Sequence, residues 1–231
     1  MSWQDEAKKK SAAMAIEHIK SDMIIGIGSG STAAEGIRLI GEKMAKGELT
    51  NIKAVPTSYQ AIQEAVNAHI PLTTLDEHPV LDFGFDGADQ IDNDLNAIKG
   101  GGGALLREKI VASCCKEYVL IADTTKVTDV LGRDQPVYLE IHPMAVNPVS
   151  RKLRNMGAKP SIRQAVGKLG PVVTDNGNNL IDADFGPIHN PGYLNARLHS
   201  VQGVMETGLF IGYAQIAYIG TENGVKTMTR F

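Results

Sequence analysis

Cysteine is nearly absent from this chain of 231 residues: there are two, and Cys114 and Cys115 are adjacent. Neighbouring cysteines are poor geometry for a structural disulfide and match no metal-ligand spacing. They read as small apolar helix residues, with a reactive thiol left open. The histidines (His18, His69, His78, His142, His189, His199) are scattered without metal spacing, so no metal site is expected. An excess of positive charge is lacking too, since the net charge of −3 leaves no electrostatic footprint for nucleic acid. No apolar run approaches the length of a membrane span, and the start, MSWQDEAKKK, is polar. The expectation is a cytoplasmic protein with no membrane attachment. Repeats, low-complexity tracts and long linkers are missing as well. What remains, 43% apolar and 21% charged residues, is ordinary for a globular chain and argues against disorder. The length suits one large domain, or one carrying a smaller inserted or appended domain.

Two nucleotide signatures are also missing. The segment Met23–Ile27 reads as a short strand, and GIGSGST, Gly26 to Thr32, follows it into a helix with Ala33, Ile37, Ile40 and Met44 on one stripe. Strand, glycine loop and helix form a phosphate-binding arrangement. A Walker loop would place lysine before its Ser/Thr, where Gly30 stands, and a dinucleotide fingerprint would want glycine at position 31, which is Ser31. The next strand, Ile52–Val55, runs into PTSY and supplies no acidic ribose ligand. ATP and NAD are therefore disfavoured. A small phosphorylated metabolite held by backbone N–H groups and the Ser31 and Thr32 hydroxyls fits, although a helix cap after a glycine turn would use the same residues. Thr32 and Glu35 have capping-box spacing.

Strands and helices alternate through the first part of the chain. A helix is predicted from Gln4 to Lys20, with Lys8 to Lys10 near its start, and another over Ser58–Ala68. Strands are predicted at Leu72–Leu75, Val80–Phe85 and Tyr118–Ala122, the last ending in DTTK, Asp123 to Lys126. This order indicates an α/β fold with a mostly parallel sheet, whose ligands sit beyond the carboxyl ends of the strands. Around Pro136 the texture changes to short strands (Val137–Ile141, Ser161–Gln164), helices (Pro148–Asn155, Pro191–Val201) and a hairpin over Val172–Asp184 turning at Asn176-Gly177. That pattern predicts a smaller α+β subdomain over residues 136–205, within a larger catalytic domain of residues 1–135 and 206–231. The runs LFIGY and IAYIG and the ending GVKTMTR read as strands returning to the larger domain.

The stretch Asp86–Lys109, DGADQIDNDLNAIKGGGGALLREK, holds the chemistry. Asp86 and Asp89 follow a predicted strand. Lys99 precedes four glycines, Gly100 to Gly103, which open a helix carrying Glu108. Glycines in that number are kept where φ must be positive or something must approach the backbone closely. Glu108 falls in the middle of a stripe made by Ala104, Leu105, Val111, Ala112 and Cys115, with Leu106 and Ile110 opposite, so both faces are expected to be covered. An ordinary exposed glutamate paired with Arg107 or Lys109 is the plain alternative. A carboxylate centred on an apolar stripe near a glycine loop points instead to function. If a sugar phosphate rests on GSGST, the remaining groups suit proton transfer beside a carbonyl. Glu108 would be the base, Lys99 and the glycine amides the donors to an enediolate oxygen, and Asp86 and Asp89 the groups that bind hydroxyls and move protons. This chemistry requires no nicotinamide, thiol nucleophile or metal, so no cofactor is expected.

The motifs GIGSGSTAAEGI, FDGADQID, IKGGGGALLREKI, ADTTKVTDVLG and GTENGVKT resemble those of the type A ribose-5-phosphate isomerase family, over about Lys8 to Lys226. The resemblance implies a Rossmann-like domain with a ferredoxin-like subdomain, and metal-free interconversion of D-ribose 5-phosphate and D-ribulose 5-phosphate in the non-oxidative pentose phosphate pathway. It places the proton acceptor on Glu108. It places sugar-phosphate contacts on Ser29, Gly30, Ser31 and Thr32, on Asp86, Gly87, Ala88 and Asp89, on Lys99, Gly100, Gly101 and Gly102, and on Lys126. Ser29, Gln90 and Gly103 depart from the usual family pattern without touching a proposed catalytic group. The expected partner is a small pentose phosphate, and the expected assembly a homodimer or homotetramer. A sugar-phosphate deaminase or lactonase is the alternative enzyme, and a sugar-phosphate sensor the alternative of another class. A sensor would need an attached DNA-binding module, for which the strand directly after the first helix leaves no room.

Overall fold

The computed structural model describes residues 2–230 and divides into two compact units. The first comprises the segment through Ala88, Arg107–Val127 and the segment from Gly212 onward; the second comprises Asp89–Leu106 and Thr128–Ile211. In chain order the elements are α1 (Trp3–Ile16), β1 (Ile24–Ile27), α2 (Ser31–Ala45), β2 (Lys53–Pro56), α3 (Tyr59–Asn67), β3 (Phe83–Asp86), β4 (Gln90–Ile91), β5 (Ala97–Ile98), α4 (Leu105–Cys114) and β6 (Tyr118–Asp123). There follow β7 (Val137–Ile141), α5 (Val146–Asn155), β8 (Lys159–Ile162), β9 (Asn179–Asp184), α6 (Pro191–His199), β10 (Val204–Thr207), β11 (Leu209–Phe210), β12 (Ile216–Thr221) and β13 (Gly224–Thr229).

The first unit is built on a six-stranded sheet in the order β13-β12-β6-β3-β1-β2. All neighbours run parallel except β12 and β13, which form an antiparallel hairpin. Central parallel strands are covered on both faces and so read as continuous apolar runs; every residue of β3 and β6 is buried. Alternation along β1 sends Ile25 and Ile27 into the cluster built with α1, α2 and α3. The intervening Gly26 faces Val111 of α4, where a Cβ would meet the valine at 2.5 Å, so α4 packs on the opposite face of the sheet. Each fully buried Ile or Phe of this core contributes about 1.5–3 kcal/mol.

Several local expectations are corrected. Helix α1 opens on a capping box between Ser2 and Asp5 and ends at Ile16 instead of Lys20, with Ile19 buried beyond its end. Leu72–Leu75 forms no strand but a single parallel bridge, Leu72 to Ala54. The strand expected from Val80 begins at Phe83. Thr32 is no capping residue: the N-cap of α2 is Gly30, at φ +89°, and Glu35 pairs with Arg38. Ile110 is exposed, so only the Glu108 face of α4 is covered throughout.

The second unit carries an antiparallel sheet, β10-β7-β9-β8, against which α5 and α6 pack, and a small sheet, β11-β5-β4. Val149 and Leu153 point inward from α5, as their spacing predicts. The Asn176-Gly177 turn forms, with Gly177 at φ +79°. Its first arm, however, is one bridge (Val173 to Asn179), and β9 takes β7 and β8 as partners. Leu209–Phe210 pairs with β5 in this unit; only β12 and β13 join the first unit's sheet.

Candidate active site

Strand β1 connects through α2 to β2 on one side, while β3 leads toward β6 on the other. The carboxyl ends of β1 and β3 therefore flank the point where the strand order reverses, the place where open α/β sheets hold ligands. Asp86 ends β3 and is 1% exposed. Its Oδ1 accepts N–H bonds from Ser29 (3.0 Å) and Gly87 (2.7 Å). The residue at 28 must be glycine, because a Cβ there would lie 2.2 Å from the Asp86 carboxyl. Ser29 ties the loop to α3: its hydroxyl bonds Thr57 Oγ1 (2.8 Å) and Ser58 Oγ (2.6 Å), and Ser58 caps α3 by accepting from Ala61 N–H.

At the mouth of α2, Gly30 offers no capping side chain, and its own N–H donates to Gln60 Oε1 at 2.8 Å. The first-turn amides and the Ser31 and Thr32 hydroxyls present an anion-attracting helix end. Lys8 Nζ stands 3.2 Å from Ser31 Oγ and adds a positive charge there. Lys126 ends the short helical turn Thr124–Lys126, which Asp123 caps by accepting from Thr125 N–H at 2.8 Å.

Glu108 is 5% exposed on α4, so it is not the solvated glutamate of the plain alternative, and Lys109 is equally buried. Arg107 lies over the Tyr59 ring, 5.3 Å from its centroid. Tyr118, the first residue of β6, has its hydroxyl pushed well above the ordinary phenol range, first by burial and then by the neighbouring carboxylates of Asp86 and Glu108. The carboxylates of Asp86 and Glu108 thus act on one buried phenol, which has no hydrogen-bond partner among the described residues.

In the second unit, Asp89 Oδ2 accepts from Gly101 N–H at 2.9 Å. Lys99 is 2% exposed; its N–H donates to Gly208 O, and its Nζ lies 5.3 Å from the Phe210 ring centroid. Gly100 and Gly103 adopt φ of +113° and +83°, values that require glycine, and Gly103 N–H closes the turn on Gly100 O at 3.0 Å. Among the described residues the Gly100 and Gly102 amides have no acceptor. Gly100 is buried, where an amide without a partner is rare, whereas Gly102 is exposed and its N–H is open to solvent or a ligand. Gln90, one of the departures from the family pattern, accepts from Gly132 N–H at 2.8 Å.

Sequence reasoning did not single out Tyr118, Thr57, Ser58 or Gln60 as part of this region. Ser58 carried a signal, a helix-capping residue before an apolar-periodic segment. Lys8 was visible only as one of three lysines. Among the described residues no group of three or more His, Cys, Asp or Glu side chains is placed to hold a metal ion, and no helix is long and apolar enough to cross a membrane.

The family model described as ribose 5-phosphate isomerase A (phosphoriboisomerase A) matches residues 53–224. The chain is 44% identical to the ribose-5-phosphate isomerase A of Trichodesmium erythraeum (strain IMS101), over 96% of this chain and 94% of that one. Among solved structures, a D-ribose-5-phosphate isomerase in complex with phospho-erythronic acid matches with a TM-score of 0.97 and 42% identity, covering 100% of both chains. The ribose 5-phosphate isomerase A of Methanocaldococcus jannaschii matches with a TM-score of 0.93 and 40% identity, over 97% of this chain and 98% of that one.

Proposed function

The chain belongs to the ribose-5-phosphate isomerase A family, and on that premise we propose that it interconverts D-ribose 5-phosphate and D-ribulose 5-phosphate through an enediolate. The observation that carries the assignment of roles is the burial of Glu108 on α4. The substrate phosphate lies at the N-terminus of α2, held by Gly30, Ser31 and Thr32 and by the charges of Lys8 and Lys126. Asp86 and Asp89, with Gly87 and Ala88 between them, bind the sugar hydroxyls and move protons between oxygens as the ring opens. Glu108 takes the proton from C2 of the aldehyde form. The electron pair of that C–H bond becomes the C1–C2 double bond of the enediolate, and negative charge develops on O1. Lys99 and the amides of Gly100 to Gly102 stabilise that oxygen. The protonated Glu108 returns its proton to C1, and the aspartates pass the O2–H proton to O1, leaving the C2 ketone and the C1 hydroxyl.

The complex of a similar enzyme with phospho-erythronic acid supports this reading, because a carboxylate next to a carbinol carbon reproduces the planar, negatively charged pair of oxygens of an enediolate. The test is formation of ribulose 5-phosphate from ribose 5-phosphate by wild type and by Glu108→Gln. The variant keeps the shape of the side chain but cannot accept the C2 proton. Loss of a positioned base is worth about 10²- to 10⁴-fold, roughly 3 to 5 kcal/mol of barrier. Glu108→Gln is expected to fold, bind substrate nearly normally, lose turnover on that scale and stop exchanging the C2 hydrogen with deuterated water. Isomerisation within a few-fold of wild type would move the base elsewhere, with Asp89 next. A cytoplasmic location and assembly as a homodimer or homotetramer belong to the same reading; sedimentation as a monomer would remove the assembly from it.

A further inference from the structure

Arg163 follows β8 and is joined by its backbone to Leu180 and Val172. Its side chain is 17% exposed and uses its guanidinium in two directions. Nε donates to Asp182 Oδ1 (3.0 Å) and Oδ2 (3.1 Å), and Nη2 to Asp182 Oδ1. Nη1 donates to the carbonyl oxygens of Gly100 (3.1 Å) and Gly101 (2.9 Å). The plane of the guanidinium lies over the Tyr138 ring, 4.8 Å from its centroid. Tyr138 in turn is opposite Asp182 on the neighbouring strand, and its hydroxyl donates to Gln135 Oε1 at 2.8 Å.

A trans peptide is planar, with its C=O and the following N–H pointing in opposite directions. Holding the Gly100 carbonyl therefore aims the Gly101 N–H away from Arg163, and that N–H meets Asp89 Oδ2 at 2.9 Å. Holding the Gly101 carbonyl aims the Gly102 N–H the same way, and this amide has no acceptor among the described residues. Two consecutive peptide planes of the most freely rotating residue type are thus clamped at their carbonyl ends by one guanidinium.

We propose that Arg163, aimed by Asp182 and braced on Tyr138, is a positioning residue for the reaction: it sets the peptide planes of the glycine loop so that the Gly102 N–H, with Asp89, faces the substrate. The inference rests on the reading that this loop serves the enediolate. The clamp makes no contact with substrate. Its loss lets the loop sample other orientations, and misplacement of a transition-state donor by about 1 Å lowers turnover on the order of 10²-fold.

The experiment compares wild type, Arg163→Ala, Arg163→Lys and Asp182→Asn in the ribose 5-phosphate assay, with circular dichroism and thermal melting to establish folding. Arg163→Ala is expected to lower kcat by about 10- to 100-fold with KM changed far less, since the phosphate contacts are untouched. Guanidinium ion at non-denaturing concentration is expected to restore part of that kcat, and methylammonium is not, because only a planar fork spans Asp182 and both carbonyls. Asp182→Asn is expected to show the same split, more weakly. Arg163→Lys covers the case in which Arg163→Ala does not fold. Folded Arg163 variants with kcat within about two-fold of wild type overturn the proposal, and so does a loss that guanidinium leaves unrepaired or that falls on KM alone. Wild type without isomerase activity overturns the functional reading itself, a separate result.

Discussion

Asp86 gathers two amide hydrogen bonds on one oxygen, and its neighbours at 28 and 29 are shaped around it. Asp86→Asn keeps an acceptor for those amides but loses the charge that moves protons in the proposed mechanism, so kcat is expected to fall by about 10²-fold or more with little change in KM. Normal turnover would take Asp86 out of the chemistry. On the proposed reading Lys126 is a point charge for phosphate, which ground and transition states share. Lys126→Ala should raise KM more than it lowers kcat, and steady-state kinetics showing the reverse would place Lys126 at the reacting carbons. At the other end of the reactivity scale, burial pushes the Cys115 thiol up to about 12. Native protein at pH 8 is expected to leave Cys115 unmodified by iodoacetamide, with alkylation appearing on unfolding; peptide mapping reads it directly. Glu108 was legible as an oddity because a carboxylate interrupts an apolar stripe of period 3.6. Arg163 was not, because its partners Gly100, Gly101 and Asp182 are remote in sequence and no local pattern marks a guanidinium that will hold carbonyls.

The elements that matter are loops held at strand ends, and glycine decides their shape. Gly28→Ala would drive a methyl group into the Asp86 carboxyl at 2.2 Å. It is expected to abolish most activity while the fold, carried by the sheet, survives; an active Gly28→Ala enzyme would mean that Asp86 can move without consequence. Stability at the entry to β3 has an electrostatic part. Asp82 accepts from Lys116 Nζ (2.7 Å) and Ile24 N–H (3.0 Å), and these bonds, in that order, hold its pKa below the ordinary carboxylate value. A depressed folded-state pKa gives stability that is present above the unfolded value, near 3.9, and is lost as pH falls through the folded value. Asp82→Asn should therefore lower Tm at pH 7 and cease to do so in strong acid. The ion pair is half in solvent, so the effect is about 1 kcal/mol or less, and an equal Tm loss at both pH values would assign it to packing. Period and punctuation made the long elements legible: α2, α3, α5, β6 and β7 stand within a residue or two of their predicted positions. The two-residue strands β4 and β5 were invisible, since two residues have no period and exist only through their partners, and β11, expected as a strand in LFIGY, joined β5 instead of the larger sheet.

For the whole molecule, the chemistry asks for no metal, and EDTA is expected to leave turnover unchanged; complete loss restored by a divalent ion would require a ligand set that the scattered histidines and adjacent cysteines do not suggest. A net charge of −3 exerts no long-range attraction on a dianionic sugar phosphate, so on the proposed reading capture depends on local charges such as Lys8 and Lys126. The amino-acid sequence by itself determined the α/β class, the glycine loops, the carboxylate of Glu108 on an apolar helix stripe and the reaction these residues suit, because these depend on residue type at short spacing and on motifs contiguous in the chain. Tertiary structure alone decided the rest: that Gly30 caps α2 where Thr32 was expected to, that Lys8 reaches Ser31, that Asp86 and Glu108 act on the same Tyr118, and that Arg163 clamps the loop after Lys99. Lys8 with Ser31, Asp86 with Tyr118 and Arg163 with Gly101 are pairs separated by a strand or more, and such pairings are set by sheet order and packing, which no local periodicity encodes.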